Sequence, residues 1–332
     1  MTATGTDSNT ITGLEAARWG GGVRENSVMG ALSFALGQTD TGASYAFLMG
    51  VSGAAFRFQL AQPDWCPSSP HAGCGFNCAD QVTEALPFTC RAVGLPEDGE
   101  QRVERAREAV VASIDRGVPA LYRHEEESLV VGYAEGGERV LLRGYHKHEA
   151  GYEEKPLAEL LSSWAGMGVL EPGDAQSREA AIERSLELAV ELADTPAFDR
   201  YASGFAAFER WIEDLRDEAA FEGEPQALFM KGLTNAHCFA SLADARAAAV
   251  EYLREVAPEL DAERAARARA AADIYAQEVE LLCARPPYEV APAPWHLQGK
   301  PWTQEKREAQ AQLLEQALGL ERKAVDALRT KR

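Results

Sequence analysis

The sequence predicts an α+β fold joined to a helical second half. Residues 13–174 are rich in glycine and mix strand and helix signals, whereas residues 175–284 contain glycine only at 204, 223 and 232 and proline only at 196, 225 and 258. So few breakers over so long a stretch read as consecutive helices. Between the halves, Glu171-Pro172-Gly173-Asp174 carries turn chemistry. The expected organisation is a disordered leader at 1–12, an α+β domain at 13–174 and a helical domain at 175–332 with a proline-rich loop at 285–302.

Taken in order, Asn26–Leu36 predicts a helix, because Val28, Leu32, Ala35 and Leu36 share one face. Short strands are expected at Tyr45–Met49 and Ala55–Phe58, and a helix at Ala79–Leu86. Gln101–Arg116 is amphipathic, with Val103, Ala106, Val110, Val111 and Ile114 inward. Strands follow at Val118–Tyr122, Leu129–Tyr133 and Arg139–Gly144, the last two joined by the hairpin turn Glu135-Gly136-Gly137-Glu138. Lys155–Trp164 reads as a helix with Pro156 in its first turn. In the second half, helices are expected at Ser177–Ala193, Ala197–Asp217, Pro225–Ala257 with a break near Gly232, Asp261–Ala284 and Gln304–Leu328. Ser177 and Asp261 serve as N-caps. Five prolines between Arg285 and Trp302 make that stretch an extended loop.

Composition narrows the function. The formal net charge is −19, from 33 basic and 52 acidic side chains. It is spread as −11 over residues 1–174 and −8 over the rest. Evenly spread acidity of this kind marks solubility, and it argues against nucleic-acid binding, which draws on clustered Lys and Arg. No stretch approaches the roughly 18 apolar residues of a membrane helix. The small, polar residues Met1–Thr12 lack the basic and apolar regions of a secretory signal. The expected compartment is therefore the cytoplasm, with the six cysteines reduced.

The densest chemistry lies between Trp65 and Cys78, where Cys66, His71, Cys74 and Cys78 fall within thirteen residues. One reading is a zinc site, although the spacing Cys-x4-His-x2-Cys-x3-Cys is not a paired Cys-x2-Cys knuckle. A second is a reactive thiol. Cys74 or Cys78 lies at a helix start, where the dipole favours thiolate, and His71 is the candidate base. A third is a loop of small buried hydrophobes packed over the core. His146 and His148 alternate after a strand, His237 lies in a helix, and His296 adjoins Trp295 as a candidate pocket lid. Glu125-Glu126-Glu127 precedes a strand and offers a general base or a solvated turn. Gly20-Gly21-Gly22 lacks the Gly-Lys-Ser/Thr ending of a phosphate loop.

The order of motifs in the first half resembles a known family. Gly22-Val23-Arg24-Glu25-Asn26-Ser27 opens a helix, Arg116-Gly117-Val118-Pro119-Ala120-Leu121 leads into a strand, and Leu129-Val130-Val131-Gly132-Tyr133 follows. Over residues 20–165 this is similar to the papain-like fold of C39-type peptidases and, within it, to the N-terminal domain of BtrH-like proteins of butirosin biosynthesis. The resemblance implies acyl or amide chemistry on a small molecule, with an acyl-carrier protein as a partner. Where the family has its nucleophilic Cys, this chain has Asn26 and Ser27. Where the family has its His, it has Glu126 and Glu127, and Ala134 replaces the Asp after Gly-Tyr. Conventional proteolysis is therefore not expected.

Two functions remain open. One is a small-molecule acyl- or amide-processing protein of specialised metabolism. Cys74 or Cys78 would be its thiol, His71 its base and Asn26 or Ser27 its oxyanion-side donors, with Glu127 a further candidate catalytic residue. Trp65, Glu126, Tyr133 and His296 would contact ligand, with no cofactor. Arg102, Arg105 and Arg107 would offer a basic patch to a carrier protein. The other is a non-catalytic ligand-binding or scaffolding protein, with self-association as a further partner class. Zinc held by Cys66, His71, Cys74 and Cys78 is the third option.

Overall fold

The structure is a computed structural model that describes residues 7–147, 149–161, 165–174, 176–300 and 302–330. The first part of the expected leader, His148 and Trp164 lie outside the described residues. In chain order the elements are β1 (Asn9–Thr10), α1 (Ser27–Leu36), α2 (Tyr45–Val51), β2 (Gln59–Ala61), α3 (Cys78–Ala85), β3 (Phe88–Val93), α4 (Arg102–Asp115), β4 (Ala120–Arg123), β5 (Glu127–Ala134), β6 (Arg139–Arg143), β7 (Glu153–Pro156), α5 (Leu157–Leu160), β8 (Gly166–Pro172), α6 (Arg178–Asp194), β9 (Ala197–Phe198), β10 (Tyr201–Ser203), α7 (Gly204–Arg216), α8 (Pro225–Val256), α9 (Ala262–Leu282), α10 (Pro287–Val290) and α11 (Gln304–Leu328). The fold is α+β with antiparallel sheets. Among the described residues, no helix is long and apolar enough to cross a membrane.

The contacts divide the chain into two compact units, and not at a single point near residue 174. One comprises Met1–Tyr45 and Thr83–Gln176, the other Ala46–Val82 and Ser177–Arg332. The excursion 46–82 joins the helical unit because its aromatic side chains are core there. Phe58 stacks on Trp211, with centroids 5.1 Å apart, and packs on Phe208 at 4.7 Å. Strand β2 pairs antiparallel with β10, Gln59 opposite Ser203.

In the sheet unit the strands run β3-β8-β4-β5-β6-β7, all antiparallel. Strand β1 pairs with β5 at Gly132 and Tyr133, beyond the end of β4. Helix α4 lays Ala106, Val110 and Ile114 on the sheet. Val103, expected inward, is exposed. It shares the helical face of 106, 110 and 114 but sits in the first turn of α4, where that face is not covered. The expected helix at Lys155–Trp164 is instead strand β7, paired with β6, followed by the single turn α5. Cross-strand pairing here overrides the local pattern.

In the helical unit α6, α8, α9 and α11 appear with Ser177 and Asp261 as N-caps, each accepting the amide three residues on. Helix α8 runs unbroken through Gly232. Residues 197–203 form β9 and β10, so α7 starts at Gly204 and not at Ala197. A Cβ at Gly204 would stand 2.2 Å from the Ala193 carbonyl, and its φ of +55° suits glycine. The proline-rich stretch holds two short helical turns, α10 and Pro294–Leu297. Trp211 Nε1 donates to Asn235, which exchanges amide hydrogen bonds with Gln310, fixing the register of α7, α8 and α11.

Tyr45–Met49, expected as a strand, lies in helix α2, and Ala55–Phe58, also expected as a strand, is turn and coil leading into β2. A short apolar run without periodicity does not distinguish the two states. From Ala46 onward it seats on α8, where a Cβ at Gly50 would come within 2.2 Å of the Tyr252 ring. Tyr252 is fully buried and its hydroxyl lies 2.6 Å from Ser185 Oγ, so the ring has little room to yield. Gly50→Ala is expected to destabilise the chain by about 1–3 kcal/mol through overpacking. An unchanged urea midpoint would contradict this packing.

Candidate functional site

The Cys66–Cys78 loop belongs to the helical unit and is built around two buried side chains. The Arg57 guanidinium donates to the carbonyls of Pro70 (2.6 Å), His71 (2.9 Å), Cys74 (3.0 Å) and Phe76 (2.8 Å). Gln59 Nε2 donates to Ser69 (2.9 Å) and Cys74 (2.7 Å). The loop thus turns its carbonyls onto one cation, a compact way to satisfy backbone acceptors without a sheet. Its thiols differ in state. Cys78 is the first residue of α3 and is fully buried. Burial pushes its thiol up, and the nearby Arg57 charge only partly offsets this. The helix start therefore does not supply the thiolate that the sequence suggested. Cys66 Sγ contacts Ser68 Oγ at 3.0 Å. Cys74 is half-buried beside the Tyr201 hydroxyl, which burial and then that thiol push up.

Among the described residues His71 is not hydrogen-bonded to these thiols; its Nδ1 accepts the Gly73 amide at 3.1 Å. Nor do Cys66, His71, Cys74 and Cys78 converge on a metal. Among the described residues no group of three or more His, Cys, Asp or Glu side chains is arranged to hold one. The Arg57 cation inside the loop also opposes a second positive charge there.

Asn26, Ser27, Glu126 and Glu127 belong to the sheet unit, so neither unit by itself contains both these residues and the thiol loop. Asn26 caps α1, its Oδ1 accepting the Met29 amide at 3.1 Å. Ser27 is 3% exposed. Glu126 is half-buried, and Glu127 lies on β5 at 3.4 Å from Arg123 of β4. The Cys90 thiol sits 3.5 Å from the same arginine. Burial raises its pKa, against Arg123 and with Glu127. Cys90 escaped the sequence reading because β3, which positions it, has no clear alternation.

The other expected contacts are largely structural. Tyr133 is buried and its hydroxyl donates to Asp115 at 2.9 Å, which pins β5 to α4. Trp65 is a core residue whose Nε1 donates to Asp214 at 2.8 Å. His296 is exposed, between Tyr288 and Trp295. His146 does not continue a strand, because its φ is +61° and β6 has ended at Arg143. The basic patch expected at Arg102, Arg105 and Arg107 is already engaged. Arg102 donates to the carbonyls of Gly94, Leu161 and Ala165, Arg105 pairs with Asp98, and Arg107 with Glu104.

One concavity in the helical unit has the form of a ligand seat. A groove of about 610 Å³ opens among α6, the start of α9 and the end of α11. Leu186, Val190 and Leu328 give it an apolar wall, while Arg264, Arg267 and Arg329 stand with Glu183 and Glu187 around it. The volume lies within the range of small-molecule sites, which combine apolar walls with a few placed polar groups. The lining comes from three helices distant in sequence. Its one local signal is the i, i+3 spacing of Arg264 and Arg267, which puts both on one face of α9. No family model matches the chain, and no curated protein matches it significantly.

Proposed function

We propose that the chain is a non-catalytic small-molecule-binding protein whose ligand seat is the groove among α6, α9 and α11. The carrying observation is the apolar wall of Leu186, Val190 and Leu328 beside three arginines, in a cavity of about 610 Å³. A flexible ligand laid on that wall gains about 0.8 kcal/mol for each methylene it buries. Ten methylenes would supply about 8 kcal/mol, the micromolar scale, before the cost of association is subtracted. The C39-type resemblance enters this reading as a proposal of descent for the sheet unit: a papain-like scaffold without its Cys and His. Asn26 as a helix cap and the buried Glu127 support such a reuse.

The acyl- or amide-processing reading keeps one specific observation in its favour, the half-buried Cys74 beside the Tyr201 hydroxyl. Binding is tested first with Nile red, a neutral apolar fluorophore. The wild-type chain is expected to enhance its emission saturably. Leu186→Asp and Val190→Asp, both at half-buried positions, are expected to weaken binding at least about tenfold with melting temperatures unchanged. Equal binding by both variants, or no binding by the wild type, would remove the groove from consideration.

A further inference from the structure

The three arginines of the groove are not equivalent. Arg264 is engaged by Glu183 and, at 3.4 Å, by Asp261. Arg329 holds Asp194 through two contacts of 2.6 and 2.8 Å and Asp326 at 3.0 Å. Arg267 is different. Its side chain is 21% exposed, the least of the three, yet its carboxylate contact among the described residues is Glu263 at 3.9 Å, itself 77% exposed. One of its N–H groups donates to the Arg329 carbonyl at 3.3 Å. A guanidinium carries five donors in a planar fork matched to an oxyanion. Arg267 is therefore a half-buried guanidinium with most of its donors uncommitted to the protein among the described residues, next to a wall of Leu186, Val190 and Leu328.

Resting on the groove reading above, we infer that its ligand is an amphiphile with one oxyanion end, carboxylate or phosphate, gripped by Arg267 while its alkyl chain lies on Leu186, Val190 and Leu328. The net charge of −19 does not oppose this. Charges more than about 10 Å away are screened at ordinary ionic strength, while a contact at Arg267 is not. Three of the lining side chains are arginines and two, Glu183 and Glu187, are acids, while Asp261, Asp194, Asp326 and Glu263 stand beside those arginines, so the attraction offered to an anion is the fork of Arg267 itself and not a positive field. A cationic amphiphile would suit the overall charge but would set like charge against Arg267. A neutral one would leave the uncommitted donors unanswered.

Four ten-carbon probes that differ only at the head separate these cases in competition with Nile red: decanoate, decyl phosphate, decanol and decyltrimethylammonium. Decanoate or decyl phosphate is expected to bind about tenfold or more tighter than decanol, with the cation weakest, a preference that shrinks as salt is raised. The better of the two anions identifies the head. Arg267→Gln is expected to erase the preference, lowering the affinity of the better anion about tenfold or more toward that of decanol. Arg267→Lys, which keeps the charge but not the fork, is expected to retain a reduced preference, and it serves if the glutamine variant does not fold. Decanol binding as tightly as both anions, or a preference that survives Arg267→Gln, would overturn this inference and leave the groove reading standing. Failure of Nile red and of all four probes to bind would overturn both.

Discussion

Arg246→Met is expected to cost the chain about 3–5 kcal/mol, the largest single loss foreseen for it. Arg246 on α8 is 1% exposed and sits among Glu278 and Tyr275 of α9 and Glu321 of α11, all 2% exposed or less. Its Nε lies 2.6 Å from Glu321 and 3.9 Å from Glu278, and its Nη1 donates to the Ala55 carbonyl at 2.8 Å. Burial works against the charged guanidinium, but Glu321 and then Glu278 outweigh it, and Arg246 stays charged. One cation faces two acids, and among the described residues neither Glu278 oxygen accepts a hydrogen bond. Burial, reinforced by Glu321, raises the Glu278 pKa well above the ordinary 4.5. Removing Arg246 leaves Glu321 without its counter-ion in a dry core, and the urea midpoint reports the loss.

The same cluster makes stability depend on pH. Because the folded-state pKa of Glu278 is raised, its contribution is fully present below 4.5. It is lost as pH rises from there toward the folded value, at up to about 1.4 kcal/mol per pH unit. Glu278→Gln removes that titration, so its stability relative to wild type is expected to grow between pH 5 and 7. Parallel pH profiles for the two proteins would show that the Glu278 pKa is not raised.

Arg57→Ala is expected to cost about 2–4 kcal/mol and to open the Cys66–Cys78 loop. Charge-assisted hydrogen bonds contribute about 1.5–3 kcal/mol each, and four converge on this guanidinium. Their sum is an upper bound, because some of the freed carbonyls reach water. The sharper readout is the Cys78 thiol, buried in the wild type as Cys238 is. With iodoacetamide near neutral pH both are expected to label slowly. In Arg57→Ala, Cys78 is expected to label at least about tenfold faster while Cys238 is unchanged. Fast Cys78 labelling in the wild type would contradict the buried loop. A hyper-reactive Cys74 would instead favour acyl or amide chemistry.

What was legible in the chain was local. Gln304–Leu328 reads as a helix with the bounds it has, and Ser177 and Asp261 cap the helices they precede. These signals act within one turn of backbone. Strand β8, which separates β3 from β4, was missed because Gly166 and Gly168 interrupt a segment buried along most of its length. Such a strand shows no alternation. Tyr45–Met49 suggests a strand because so short an apolar run looks the same on either backbone. Arg246, Glu278 and Glu321 look like surface charges in sequence, since nothing local says that three helices will close over them. The groove was hidden for the same reason. The cysteine loop was conspicuous, and its main organiser, Arg57, lies outside the motif.

The most direct measurement is to place a ligand on the chain. Decanoate bearing a photoreactive diazirine near its methyl end is irradiated with the full chain, and the adducts are mapped by peptide mass spectrometry. The proposed seat predicts adducts on α6 around Leu186–Val190 and at the end of α11 around Leu328. They should be suppressed by excess decanoate and lost in Leu186→Asp. Adducts concentrated in the sheet unit or on the Cys66–Cys78 loop, or unaffected by competitor, would contradict it.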